Sequence, residues 1–125
     1  LHTTGAASTV DRIVDAFPGT QQAQVRIQLA MVLRAVVSQQ LVPTLDGGLA
    51  PAFEILFANM AVRNLIREAK THQLDASIQA GAAEGMRSMD DSLLELFRAG
   101  RISEDTALTY CAYPENLERR LKAAR

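Results

Sequence analysis

Cysteine is almost missing from this chain: Cys111 is the single one in 125 residues. One thiol cannot close an internal disulfide or build a zinc site from clustered cysteines, and it suits a reducing compartment. No unbroken apolar run reaches the roughly 20 residues that a membrane-crossing helix needs. An excess of charge of one sign is lacking too. Thirteen basic residues against fourteen acidic leave a net charge of −1, whereas a domain that grips nucleic acid carries a basic excess. Nothing fits Gly-x-x-x-x-Gly-Lys-Ser/Thr, so no loop cradles phosphates. No apolar strand ends in acidic residues that could hold Mg²⁺ and activate water. There is no internal repeat and no low-complexity tract, and no signal peptide is expected. Leu1 stands where an initiator methionine would, and the chain reads as cut from something longer.

What is present is enough for a core. Hydrophobic residues make up 48% of the chain, and one domain of this size buries about two-thirds of its unfolded surface. After Gly5, the residues Ala7, Val10, Ile13, Val14 and Phe17 mark a helix ended by Pro18-Gly19. A second helix is expected over Gln21 to Gln39. Val25, Leu29, Val32, Leu33 and Val36 form its stripe, and Ile27, Ala30, Met31 and Val37 broaden that stripe until most sides are covered. Arg26 and Arg34 belong at its rim. Leu41-Val42 begins a short strand, Asp46-Gly47-Gly48 turns it, and Leu49 to Phe57 returns. Further on, Leu74 and Ile78 face inward from a helix over Gln73 to Ala80 that Gly81 stops. Met86, Met89, Leu93, Leu96 and Phe97 are spaced as a core stripe that runs up to Gly100. Ser103 caps the next helix, with Ile102 and Ala107 at the staple positions. Pro114 opens the last helix, with Leu117 and Leu121 inward and Glu115–Arg119 and Glu118–Lys122 one turn apart. The fold class is therefore mainly α with one β-hairpin.

The chain is organised around Phe53 to Lys70. From Leu49 to Phe57 the strand alternates, with Leu49, Phe53, Ile55 and Phe57 on one face and Ala50, Ala52, Glu54 and Leu56 on the other. Asn59 is placed to cap a helix, because its side-chain oxygen can accept an otherwise unpaired amide. In that helix Val62, Leu65, Ile66 and Ala69 share an inward stripe. Arg63 and Arg67 sit one turn apart on the outer side, as do Asn64 and Glu68. Periodicity alone reads this as an ordinary amphipathic helix with a solvated charged face.

The order of residues says more. Ala61-Val62-Arg63-Asn64-Leu65-Ile66-Arg67-Glu68 closely resembles the Ala-Ile-Arg-Asn-Leu-Ile-Arg-Glu motif of the type IV pilus retraction ATPases, the PilT family of secretion ATPases. The family usually has Pro before the motif, where this chain has Met60. Leu1-His2-Thr3-Thr4, with Gly5 to Pro18 behind it, looks like the family's His box and following helix. By its position alone, a histidine near a chain end is an incidental residue. The resemblance instead gives His2 a catalytic place near the nucleotide's terminal phosphate, where an imidazole can donate a hydrogen bond to a phosphate oxygen. Ser77 to Asp90 resembles the family as well. His72 has no ligand partner at metal spacing and reads as an ordinary loop histidine. Related assembly and secretion ATPases insert a four-cysteine zinc module near the hairpin; its absence here favours the retraction branch.

The resemblance implies that residues 1–125 are the C-terminal part of an α/β RecA-like P-loop ATPase domain. The parent would be a cytoplasmic homo-hexamer that uses ATP and Mg to power pilus retraction, and hence twitching motility. It would be peripheral to the membrane, working on an inner-membrane platform protein at the base of the pilus and not on nucleic acid. Lacking the phosphate loop and the acidic strand, the fragment alone is expected to bind no cofactor, to be inactive, and to self-associate through uncovered apolar surface. The face with Arg63 and Arg67 would couple turnover to movement. The rival reading is a freestanding helical interaction domain without nucleotide chemistry. A phosphate-binding loop encoded about a hundred residues upstream separates the two.

Overall fold

The computed structural model describes residues 5–124. The helices are α1 (Ala6–Asp15), α2 (Gln22–Val32), α3 (Met60–Arg67), α4 (Leu74–Ala80), α5 (Met89–Arg98), α6 (Glu104–Tyr110) and α7 (Pro114–Ala124). Between α2 and α3 lies a hairpin of β1 (Ala35–Pro43) and β2 (Leu49–Phe57), the one sheet among the described residues. The mainly helical class with a single hairpin is as expected. The chain divides into two compact units. One takes the described residues up to Ser38 with Glu54–Arg87, and the other takes Gln39–Phe53 with the residues from Ser88 onward.

In the first unit, α2 is shorter than its periodicity predicts. It ends at Val32; Leu33 is extended at φ −65, ψ 132, and Ala35–Pro43 is strand. The β-branched pair Val36-Val37 suits a pleated strand better than a helix. Pairing with β2 then supplies the backbone partners, down to Ala58 N–H donating to the Arg34 carbonyl at 2.9 Å. The full cover expected around α2 is absent as well. Ala30 is its one buried residue, while Met31 and Val32 are 65% and 69% exposed. The core of this unit is Ala6, Val10, Ala30, Leu56, Val62, Ile66, Leu74, Ile78 and Met86.

The alternation along β2 is as read, and the buried face is the one carrying Ala50, Ala52, Glu54 and Leu56. Glu54 has a structural use there. Gly5, at φ 101, offers no capping side chain to α1, and the buried Glu54 carboxylate accepts the Ala6 N–H at 2.6 Å. A carboxylate at a helix N-terminus satisfies an orphan amide and meets the positive end of the dipole.

The methionine stripe expected from Met86 to Phe97 breaks. Residue Arg87 pairs with Ile55 in an antiparallel bridge, at 2.8 and 3.0 Å, which holds the chain extended ahead of α5. Met86 therefore packs in the first unit against Gly81, where an added Cβ would lie 2.5 Å from its sulfur. Ser88 caps α5 by accepting the Asp91 N–H at 3.0 Å, and Met89, Leu93 and Leu94 are buried from there. Leu96 and Phe97 pack at the margin of that second core.

In the second unit α5, α6 and α7 pack on one another around Leu93, Ile102, Ala107, Leu117 and Leu121. Ser103 caps α6 through the Thr106 N–H at 3.0 Å, with Ile102 and Ala107 both buried. The Glu118–Lys122 pair forms at 3.5 Å. The hairpin turn closes with Thr44 N–H on the Gly48 carbonyl at 2.9 Å, and Gly47 takes φ 86. The Thr44 hydroxyl and the Gly48 amide hold the Asp46 carboxyl below the usual carboxylate range. With a depressed folded-state value, that bracing is present above the ordinary range and is lost as acid protonates Asp46. Among the described residues no helix is long and apolar enough to cross a membrane.

Candidate functional site

The site is built on α3 in the first unit. Asn59 begins the helix by accepting the Val62 N–H at 2.9 Å, and its own amide donates to Glu84 at 3.2 Å. Met60 is 76% exposed at the first helical position, where no backbone amide partner is required. Val62 and Ile66 are fully buried. Leu65 is only partly buried and packs against that core from its margin.

Ala69 does not continue the inward stripe. It lies past the helix at φ 59, exposed, the one described non-glycine residue with positive φ. Ala69 N–H bonds the Ile66 carbonyl at 3.2 Å and Lys70 N–H bonds the Leu65 carbonyl at 2.8 Å, the paired arrangement of a Schellman ending. That ending favours glycine because a Cβ crowds the left-handed conformation. Ala69→Gly is therefore expected to raise stability by about 0.5–1 kcal/mol, read by urea denaturation. A loss would show that the Cβ makes contacts worth more than the strain.

The two arginines part company. Both were expected on the outer side. Arg67 is exposed and donates to the Asn64 side-chain oxygen one turn back. Arg63 is half-buried and donates to the backbone carbonyl of Ala30, in the last turn of α2. Glu68 pairs with Lys70 at 3.4 Å, both about half exposed, so the pair contributes ~0–1 kcal/mol at most. What α3 presents outward is Ala61, Asn64, Arg67 and Glu68, next to the exposed Met60. On the same unit, Ile13, Phe17, Val25, Gln28, Leu29 and Val32 line a shallow, largely apolar groove between α1 and α2.

His2 lies outside the described residues. His72 is exposed in the short turn Thr71–Gln73, and no group of histidine, cysteine or acidic residues among the described residues could hold a metal ion. Burial, and next the Asp90 carboxylate, push the Cys111 thiol up from its usual value, which keeps it protonated and a poor nucleophile at neutral pH. Two anchoring carboxylates were missed in the sequence. Glu54 left one signal, a lone charge within an apolar strand. Asp90, 5% exposed, accepts Ala112 N–H at 2.8 Å and Tyr113 N–H at 3.0 Å, partners that no local pattern announces.

Comparison with known proteins follows the motif. No protein-family model matches the chain. A twitching motility protein of Neisseria gonorrhoeae is 54% identical over 108 residues, 86% of this chain and 29% of that protein. The type IV pilus retraction ATPase PilT of Pseudomonas aeruginosa is 44% identical over 116 residues, 93% of this chain and 34% of that protein. The crystal structure of the pilus retraction motor PilT with bound ADP superposes with a TM-score of 0.83 at 41% identity, covering 95% of this chain and 33% of that one. The chain thus spans about a third of the length of the relatives it matches.

Proposed function

We propose that this chain, a homologue of the pilus retraction ATPases along most of its length, is the coupling segment of such a motor. The observation that carries the reading is the shared fold with a solved retraction motor at 41% identity over 95% of the chain. In the parent, the phosphate-binding loop and the acidic strand lie in the part this segment does not span. Phosphoryl transfer is mostly positioning and electrostatics, and those two elements supply most of both. The parent is a RecA-like hexamer that turns over Mg-ATP at the cytoplasmic base of the pilus and works on an inner-membrane platform protein. The resemblance gives His2 a place near the nucleotide's terminal phosphate and gives the motif Ala61–Glu68 the part of passing movement on. The exposed apolar groove between α1 and α2 is the kind of surface that the rest of a larger domain, or a second copy, covers.

The test is a titration of the 125-residue chain with Mg-ATP. No saturable binding at micromolar concentration is expected, and a longer parent chain is expected to regain turnover. There His2→Ala should lower the rate by at least tenfold, about 1.4 kcal/mol of transition-state stabilisation, without changing the circular dichroism. Micromolar binding by the isolated chain, or full turnover in the His2 variant, would contradict the assignment.

A further inference from the structure

We propose that the two arginines of the motif have separate tasks: Arg63 positions the motif helix on the end of α2, and Arg67 is the one that faces the partner. This rests on the coupling reading above. The Ala30 carbonyl belongs to the last turn of α2, where carbonyls have no amide ahead of them in the helix. The chain turns extended at Leu33, which carries the following amide away. Leu33 N–H itself is taken by the Leu29 carbonyl at 2.9 Å. The Arg63 guanidinium fills the place, crossing 33 residues of sequence to do so. It brings a positive charge to the negative end of the α2 dipole. The contact is sheltered: Arg63 is half-buried, Ala30 is buried, and α2 packs along α3.

Arg63 is therefore committed to its own unit. Arg67, one turn later, bonds Asn64 on its own helix and remains exposed. A shift of the end of α2 is delivered to α3 through Arg63, while Arg67 offers a planar donor fork to an acidic or carbonyl-bearing partner surface. Arg63 is a positioning residue, and replacing it should loosen α2 as well as α3.

Amide hydrogen exchange in this chain and retraction in the parent motor test both halves. Arg63→Ala is expected to accelerate exchange of the Met31–Leu33 amides at least tenfold. Arg63→Lys should restore most of the protection, since an ammonium can also donate to the carbonyl. Arg67→Ala should leave those amides unchanged. In the parent, Arg63→Ala should lower retraction per ATP hydrolysed severalfold, with recovery in Arg63→Lys. Arg67→Ala should lower it without any change at α2. Unchanged exchange in Arg63→Ala overturns the clamp. Accelerated exchange with full retraction per ATP in that variant alone overturns its positioning role. Full retraction in both alanine variants brings down the coupling reading instead. If Arg63→Ala fails to fold, Arg63→Lys decides: most of the protection and most of the retraction per ATP are expected to remain, and a motor slowed to the level of Arg67→Ala despite that protection overturns the division of tasks.

Discussion

Replacing Ile66 by Ala is expected to remove about 2–5 kcal/mol of stability, because the side chain is fully buried and the surroundings of such a cavity relax only partly. It belongs to one cluster with Val62 from its own helix, Leu74 and Ile78 from α4, and Leu56 from β2. The neighbouring Leu65 makes the control. It is as large and as apolar but only partly buried, and Leu65→Ala should cost about 1 kcal/mol, close to the centre for point changes. Urea denaturation followed by far-ultraviolet circular dichroism reads both. Equal losses for the two would mean that Leu65 is buried in solution as deeply as Ile66.

The second large effect lies in the other unit. Asp90 sits in the first turn of α5, and its two carboxylate oxygens accept the amides of Ala112 and Tyr113, just ahead of α7. Removing the carboxylate abolishes two charge-assisted bonds at once, both made by a side chain that is itself buried. Asp90→Ala is accordingly expected to cost about 2–4 kcal/mol. Asp90→Asn keeps one acceptor oxygen and should lose about half of that. The chain has no tryptophan and two tyrosines, Tyr110 and Tyr113, both near this loop. Tyrosine fluorescence during thermal denaturation therefore reports on it directly. An Asp90→Ala variant that unfolds at the parental temperature would show that water replaces the carboxylate at no cost.

The elements read most accurately from the sequence are those whose causes are local. Asn59, Ser103 and Gly81 mark helix ends because a cap acts within three or four residues, and each does so here. Gly47 turns the hairpin because its positive φ is a property of that residue. The bounds of β2 and the inward positions of Val62, Ile66, Leu74, Ile78, Leu117 and Leu121 follow from periodicities of two and 3.6. The order of residues in the motif carried the resemblance to the retraction ATPases, with which the curated relatives and the solved motor agree.

Where the reading failed, the deciding partner was distant. Val32, Leu33 and Val36 fit a helical stripe, yet pairing with β2 draws the chain from Ala35 onward into a strand. The Ile55–Arg87 bridge splits the methionine stripe. Ala69 looked like a fourth stripe position until the helix ended before it in a left-handed residue.

By itself, then, the sequence determined the helical class, the hairpin, the caps and the kinship, since each is written in neighbouring side chains. Tertiary structure alone decided what Glu54, Asp90 and Arg63 do. Glu54 reaches an amide 48 residues away, Asp90 two amides 22 and 23 residues away, and Arg63 a carbonyl 33 residues away. A charge on a helix or strand has the same local pattern whether it meets solvent or a backbone group, so only the packed fold distinguishes Arg63 from Arg67.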